Sequence, residues 1–270
     1  MYGWDWLNIT RIVICLIILG YSCITDWRTR RAPNRLWYLL GGIGLVLGLY
    51  ELYINSLELG SLDTGFLFYW GFCFIFIFIM MYLLYYLFQY FGMTGIGGAD
   101  AKALMAIALM FPYYPQVNIA GVALPIAYTS RSVIFGLAVF GNALVLNLVV
   151  PVTIFIYNLA TVPFGELMAS PMMAFTGYKA NIESLKGRHV RLMHKYTEKD
   201  GKPEIRRSFG GAEADDDTYK KLLQWKSSGL IDNKVWITPK IPFLIPITLG
   251  FIVAILWGDI LTQLIVHILL

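Results

Sequence analysis

Two aspartates stand where apolar segments give way to polar turns, and they are the residues of this chain best suited to chemistry. Asp26 follows the apolar run Ile12–Ile24 and opens a basic turn with Arg28, Arg30 and Arg31 before Pro33 and Asn34. Asp100 closes a glycine-rich turn, Gly92–Gly98 and then Ala99, and starts an apolar helix that carries Lys102. Ionisable side chains near a bilayer core are costly and mark functional positions. A pair of carboxylates is enough for hydrolysis without a metal or a nucleophilic side chain. One, ionised, takes a proton from water, and the other, protonated, polarises the scissile carbonyl. Proximity of like charges separates the two titrations.

Helix ends bias that division. Asp26 falls at a helix C-terminus, where the dipole disfavours negative charge, and Asp100 at an N-terminus, where it is favoured. Asp100 is then the more readily ionised partner. A purely structural reading stands beside this one: Asp100 caps its helix, and Asp26 pairs with an arginine of its own turn. The turn favours chemistry. Gly92, Gly95, Gly97 and Gly98 are more glycines than a helix start needs. They permit positive φ angles and close backbone approach, as a mobile loop beside a substrate would use.

These residues need a scaffold, and the composition names its class. The chain has 270 residues, is 58% hydrophobic and 14% charged, and has a mean hydropathy of +0.64. That is too apolar for an ordinary soluble domain, and several runs reach the roughly 20 residues that span a bilayer. Continuous apolar runs exclude the alternation of a transmembrane barrel. Spans are expected near 9–25, 36–54, 66–91, 102–112, 132–158 and 241–268, about six helices in an all-α polytopic bundle. The first lacks a basic region before it and a small-x-small site after it, so it is read as a retained helix and not a signal peptide. The fourth is cut short by Pro112 and Pro115, which places it at the centre, enclosed by other helices.

Charge orients the bundle. The turn after span one holds Arg28, Arg30, Arg31 and Arg35; the turn after span two is assigned Glu51, Glu58 and Asp63. Positive-inside bias puts the amino terminus outside and the first turn in the cytoplasm. Counting loops then puts Asp100 on the same cytoplasmic face as Asp26. Residues 177–238 differ in kind: they hold 13 of the 21 Lys and Arg and nine of the 17 acidic residues. They form a small soluble α+β cytoplasmic insert. Strand-like patterns occur at His189–Tyr196, Ile205–Phe209 and Val235–Ile237, with an amphipathic helix at Asp217–Ser228 stopped by Gly229. The domains are therefore a bundle at 1–176, the insert at 177–238 and a final transmembrane helix at 239–270.

Other residues carry less. Cys15, Cys23 and Cys73 lie in apolar runs without zinc-ligand spacing and are read as small buried hydrophobes. His189 and His194 are too few for a metal site, so neither metal nor cofactor is expected. Asp215–Asp217 is read as a solvated helix start. Lys102 has two readings, neutralising the dyad or steering substrate on one hand and interfacial snorkelling on the other.

Gly97-Gly98-Ala99-Asp100-Ala101-Lys102 resembles the GxGDxK signature of type IV prepilin and archaeal preflagellin peptidases, members of the GxGD class of intramembrane aspartic proteases. Asp26, with Arg31, Pro33 and Asn34 downstream, sits where that family carries its other catalytic aspartate. Trp236–Pro242, leading into the last helix, is similar to the archaeal branch. Ala99 departs from the second glycine of the signature. The resemblance implies catalysis by Asp26 and Asp100, a motif loop of Gly95, Gly97, Gly98 and Ala99, and support of substrate or charge by Lys102, Arg31 and Asn34. It implies removal of a short basic leader from membrane-inserted precursors with an apolar helix, at the cytoplasmic face. With few residues before the first helix and no CxxC, the chain is similar to the branch without methyltransferase activity. Its partners are then the precursors and the lipid bilayer, with no nucleic acid. The alternatives are a prepilin-like substrate set or, in a different class, a small proton or cation transporter.

Overall fold

The computed structural model describes residues 4–91, 96–127, 134–188, 190–199 and 202–269. In chain order the helices are α1 (Asp5–Thr29), α2 (Asn34–Leu59), α3 (Thr64–Tyr90), α4 (Gly98–Met110), α5 (Phe135–Asn147), α6 (Val149–Thr161), α7 (Phe164–Ala169), α8 (Pro171–Thr176), α9 (Asp216–Ser227), α10 (Leu244–Leu256) and α11 (Ile260–Leu269). The strands are β1 (Val117–Ile119), β2 (Val122–Leu124), β3 (Tyr178–Asn181), β4 (Val190–Lys199), β5 (Lys202–Glu213) and β6 (Lys234–Pro239).

By length and composition α1, α2, α3 and the α5–α6 stretch Phe135–Thr161 are each able to cross a membrane. The pair α10 and α11, bent by 71° at a short break, adds a fifth if counted as one span. The protein is thus mostly helical with four candidate spans and a small sheet region, fewer than the six expected. Two expected segments account for the difference: the bent α10–α11 pair, and α4, whose 13 residues reach only about 20 Å at 1.5 Å per residue, short of a ~30 Å hydrocarbon core, as the prolines after it predict.

The described residues divide into two compact units, one holding α1–α5, β1, β2, α10 and α11, the other α6–α9 and β3–β6. In the first, α4 is the hub. Ala101, Ala103, Leu104, Ala106, Ile107, Ala108 and Met110 are all buried, so nearly its whole circumference meets protein. Small residues allow this. Gly44 of α2 lies so close to α4 that a Cβ there would sit 2.8 Å from the Met110 backbone nitrogen. Trp70 of α3 donates its indole N–H to the Leu109 carbonyl at 3.1 Å, and Phe111, Phe135 and Phe251 pack ring to ring beyond its C-terminus. The apolar stretch after α4 forms a two-stranded hairpin, β1 with β2.

In the second unit an antiparallel sheet runs in the order β3-β6-β4-β5. Leu222 and Trp225 of α9 are buried in one cluster with Ile182, Leu185, Leu192, Val235 and Ile237. Asp215 caps α9 by accepting from the Thr218 N–H at 2.8 Å, and Gly229 takes the left-handed conformation, φ 71°, just past the helix end. The expected strands and amphipathic helix are all found. β3 was not expected: four residues are too few to show an alternation. His189 lies outside the described residues.

Candidate active site

Asp26 sits one turn from the end of α1, which stops at Arg30 in a left-handed conformation, φ 56°. The buried stripe of α1 runs Leu7, Asn8, Arg11, Cys15, Ile18, Leu19, Ser22. Asp26, four residues after Ser22, continues that stripe to the edge of the bundle and is half-buried. The positive charge of Arg30, one turn on, acts on it, and the Arg30 guanidinium lies over the Trp27 ring, 5.8 Å from its centroid.

Asp100 lies in the first turn of α4 and is 7% exposed. Its carboxylate accepts the backbone N–H of Gly97 at 2.8 Å. It therefore satisfies a donor at its own helix start, from inside the first turn and not from the cap position. The helix N-terminus favours its negative charge while burial disfavours it, so the dipole alone does not divide the roles of the two acids. The Asp26 charge reaches Asp100. The two share no hydrogen bond among the described residues.

Of the other expected residues, two are brought together. Lys102 donates to the Asn34 side-chain oxygen at 2.8 Å, tying the start of α4 to the start of α2. Arg31 is exposed, and its carbonyl accepts from the Thr29 hydroxyl at 3.1 Å. Ala99 is half-buried against the main core. Gly95 lies outside the described residues. The positive φ that the glycine run permits is not used at the two glycines nearest Asp100. Gly97 is extended at φ −84° and Gly98 is the first residue of α4, neither in the left-handed region. What Gly97 supplies is space: a Cβ there would sit 3.1 Å from the Asp100 carboxylate oxygen. At Gly98 a Cβ would reach nothing nearer than the Tyr85 ring at 3.8 Å.

Two features escaped the sequence reading. Cys23, one turn before Asp26, lies within electrostatic range of both aspartates. Its thiol meets the Thr248 hydroxyl at 3.0 Å and the Leu244 carbonyl at 3.3 Å, so α10 borders the site. Its spacing to Asp26 was the available signal; nothing in sequence pointed to Thr248. Glu51 and Glu58, assigned to a turn, lie inside α2; Glu51 forms a buried ion pair with Arg11 at 2.7 Å, and Glu58 is exposed near the helix end.

The profile described as the type IV leader peptidase family matches residues 13–165, more than half of the chain and including both aspartates. The chain belongs to the type IV leader peptidase family. A second profile, Archaeal Peptidase A24 C-terminus Type II, matches residues 169–260. The preflagellin peptidase of Methanococcus voltae is 29% identical over 250 residues, covering 91% of this chain and 94% of that protein. Those of Methanococcus maripaludis and Methanocaldococcus jannaschii are each 24% identical, covering 92% of this chain and 94% and 93% of theirs. The family makes this chain a peptidase, and its apolar helices make it a membrane protein.

Proposed function

We propose that this leader peptidase removes the short basic leader from preflagellin-type precursors at the cytoplasmic membrane face, using Asp26 and Asp100 as an aspartic dyad. What carries the reading is the convergence of the two carboxylates from α1 and α4 to within electrostatic range, in a chain similar over nine-tenths of its length to preflagellin peptidases.

One carboxylate, ionised, takes a proton from a water that attacks the scissile carbonyl carbon. The other, protonated, donates a hydrogen bond to the carbonyl oxygen as it gains charge. The tetrahedral intermediate collapses when the leaving amine receives a proton from the dyad, which returns to its shared-proton state. The pair titrates as a unit, so the two roles belong to it jointly. The basic turn at Arg28, Arg30 and Arg31 supports the cytoplasmic orientation. Lys102 and Asn34 hold the start of α4 against α2, and with Arg31 form the electrostatic surround of the dyad. Residues 1–176, 177–238 and 239–270 serve as bundle, soluble insert and final helix. The substrate binds as an apolar helix in lipid with a basic segment outside it, and no methyl transfer follows cleavage.

The test is cleavage by the purified full chain in detergent, with EDTA and without ATP or an ion gradient. A precursor with a basic leader should be cut once, before its apolar helix, as the product mass shows. Loss of cleavage with EDTA and its return with zinc would overturn the aspartic assignment. Competition between archaellin-like and pilin-like precursors decides the substrate set.

A further inference from the structure

The Arg11–Glu51 pair sits at the end of α1 opposite Asp26. Its side chains are 1% and 2% exposed and meet at 2.7 Å. Arg11 Nε and Nη2 and the Asn55 amide nitrogen are also buried, with no partner among the described residues. Burying an ion pair gives little net stability and often costs some, and in some proteins such a pair is kept because it specifies one arrangement among many. The question is which arrangement this pair specifies.

In lipid, hydrophobic burial does not choose which side of an apolar helix faces the bundle, because lipid and protein are equally apolar. On α1 this is acute. Val13, Ile17, Tyr21 and Ile24 are exposed while Cys15, Ile18 and Leu19 are buried, so both faces are greasy. The short connection at 30–33 joins α1 to α2 but leaves rotation about the axis of α1 open. A buried charge is different: it is satisfied at one rotation only. Arg11 and Asp26 are 15 residues apart, so at about 100° per residue they lie roughly 60° apart on the helix and ~22 Å apart along it. Fixing the direction of Arg11 fixes that of Asp26.

We propose that Arg11 and Glu51 are positioning residues that lock the rotation of α1 and so aim the Asp26 carboxylate at Asp100. This rests on the reading of Asp26 as one of the dyad. The lever is large enough to matter: a rotation of about 30° sweeps a carboxylate ~5 Å from the axis through about 2.5 Å, and a misplacement of ~1 Å costs about 100-fold in rate. α2 is a suitable reference because its other end is held to α4, which carries Asp100, by the Lys102–Asn34 hydrogen bond.

The Arg11→Met/Glu51→Met double variant removes both charges at similar volume. Its kcat for precursor cleavage should fall at least about tenfold, with KM within about twofold. Nitroxide labels at Tyr21→Cys and Leu39→Cys, both exposed positions, in a chain lacking the native cysteines, should show a broadened α1–α2 distance distribution in that variant. An Arg11→Glu/Glu51→Arg exchange, which keeps the charge pair and its combined reach, should restore the narrow distribution and most of kcat. Wild-type kcat in the methionine variant, or an unchanged distribution, overturns the proposal; so does an exchanged pair that behaves like the methionine pair. If the methionine variant fails to fold, Glu51→Asp, one methylene short of contact, is read by the same criteria. Activity surviving in Asp26→Asn would overturn the dyad, while the distance measurement reports on the lock by itself.

Discussion

Gly44 and Gly42 are two residues apart on α2, and Ala should act oppositely at the two positions. At Gly44 a Cβ would lie 2.8 Å from Met110 N, 2.9 Å from Leu109 C and 3.0 Å from Met110 Cα. All three are backbone atoms, which cannot rotate aside. Ordinary carbon contacts fall near 3.5–4.0 Å, so the end of α4 must retreat by at least ~0.6 Å. Such overpacking costs about 1–3 kcal/mol, set against up to ~1 kcal/mol gained from replacing Gly in a helix. The larger effect is on rate. Asp100 is ten residues up the same helix, ~15 Å away, and a rigid helix carries the shift along. A displacement of 0.6–1 Å corresponds to roughly 10- to 100-fold in kcat on the scale of ~100-fold per Å. At Gly42 nothing lies within 4 Å of the added Cβ. Gly42→Ala should keep full kcat and gain ~0.5–1 kcal/mol from helix propensity. The assays are kcat for precursor cleavage and thermal unfolding of the purified chain. Full kcat in Gly44→Ala, or an equal loss in Gly42→Ala, would refute the claim that α2–α4 contact positions Asp100.

Gly97→Ala should lower cleavage, because its methyl would press on the Asp100 oxygen at 3.1 Å, whereas Gly98→Ala should be near neutral; a kcat comparison of the two separates space from backbone conformation. Lys102→Met and Asn34→Ala should each cost under about 1 kcal/mol of stability, as exposed pairs do, and the double variant should lose no more activity than the worse single one, since both break one bond. His194 of β4 is held below its ordinary pKa of 6.5 by burial and by the Arg207 charge across the strand pair. A lowered pKa means the unfolded state takes the proton first, so stability is complete above 6.5 and is lost as pH falls below it. Hydrogen-exchange protection of the β4–β5 amides should therefore drop on acidification, and His194→Gln should flatten that drop.

The acids were legible because a carboxylate at the edge of an apolar run is rare and costly, and because the residues around Asp100 form a recognisable signature. The insert was legible from its density of charge. Where sequence reasoning failed, a local rule met a tertiary partner. Glu51 was placed in a turn because charge ends a hydropathy window, yet it lies inside the helix and pairs with Arg11, forty residues earlier. The glycine run was read as permitting positive φ and close approach; Gly97 uses only the second, leaving room for a carboxylate. The proximity of Thr248 to Cys23 depends on how α10 packs on α1, which no spacing in sequence encodes. The short fourth segment was legible from Pro112 and Pro115, and α4 has 13 residues; the bend between α10 and α11 was not, because no proline marks it.

The central claim is that Asp26 and Asp100 together activate water. Asp26→Asn and Asp100→Asn keep the side-chain shape and remove the proton chemistry. The decisive measurement is single-turnover cleavage of a basic-leader precursor by each purified variant, beside binding of the same precursor. Both variants should bind precursor and fail to cut it, at least about a thousandfold below the parent, as expected when members of one catalytic unit are removed. Near-parental cleavage by either would remove that residue from the mechanism and contradict the account.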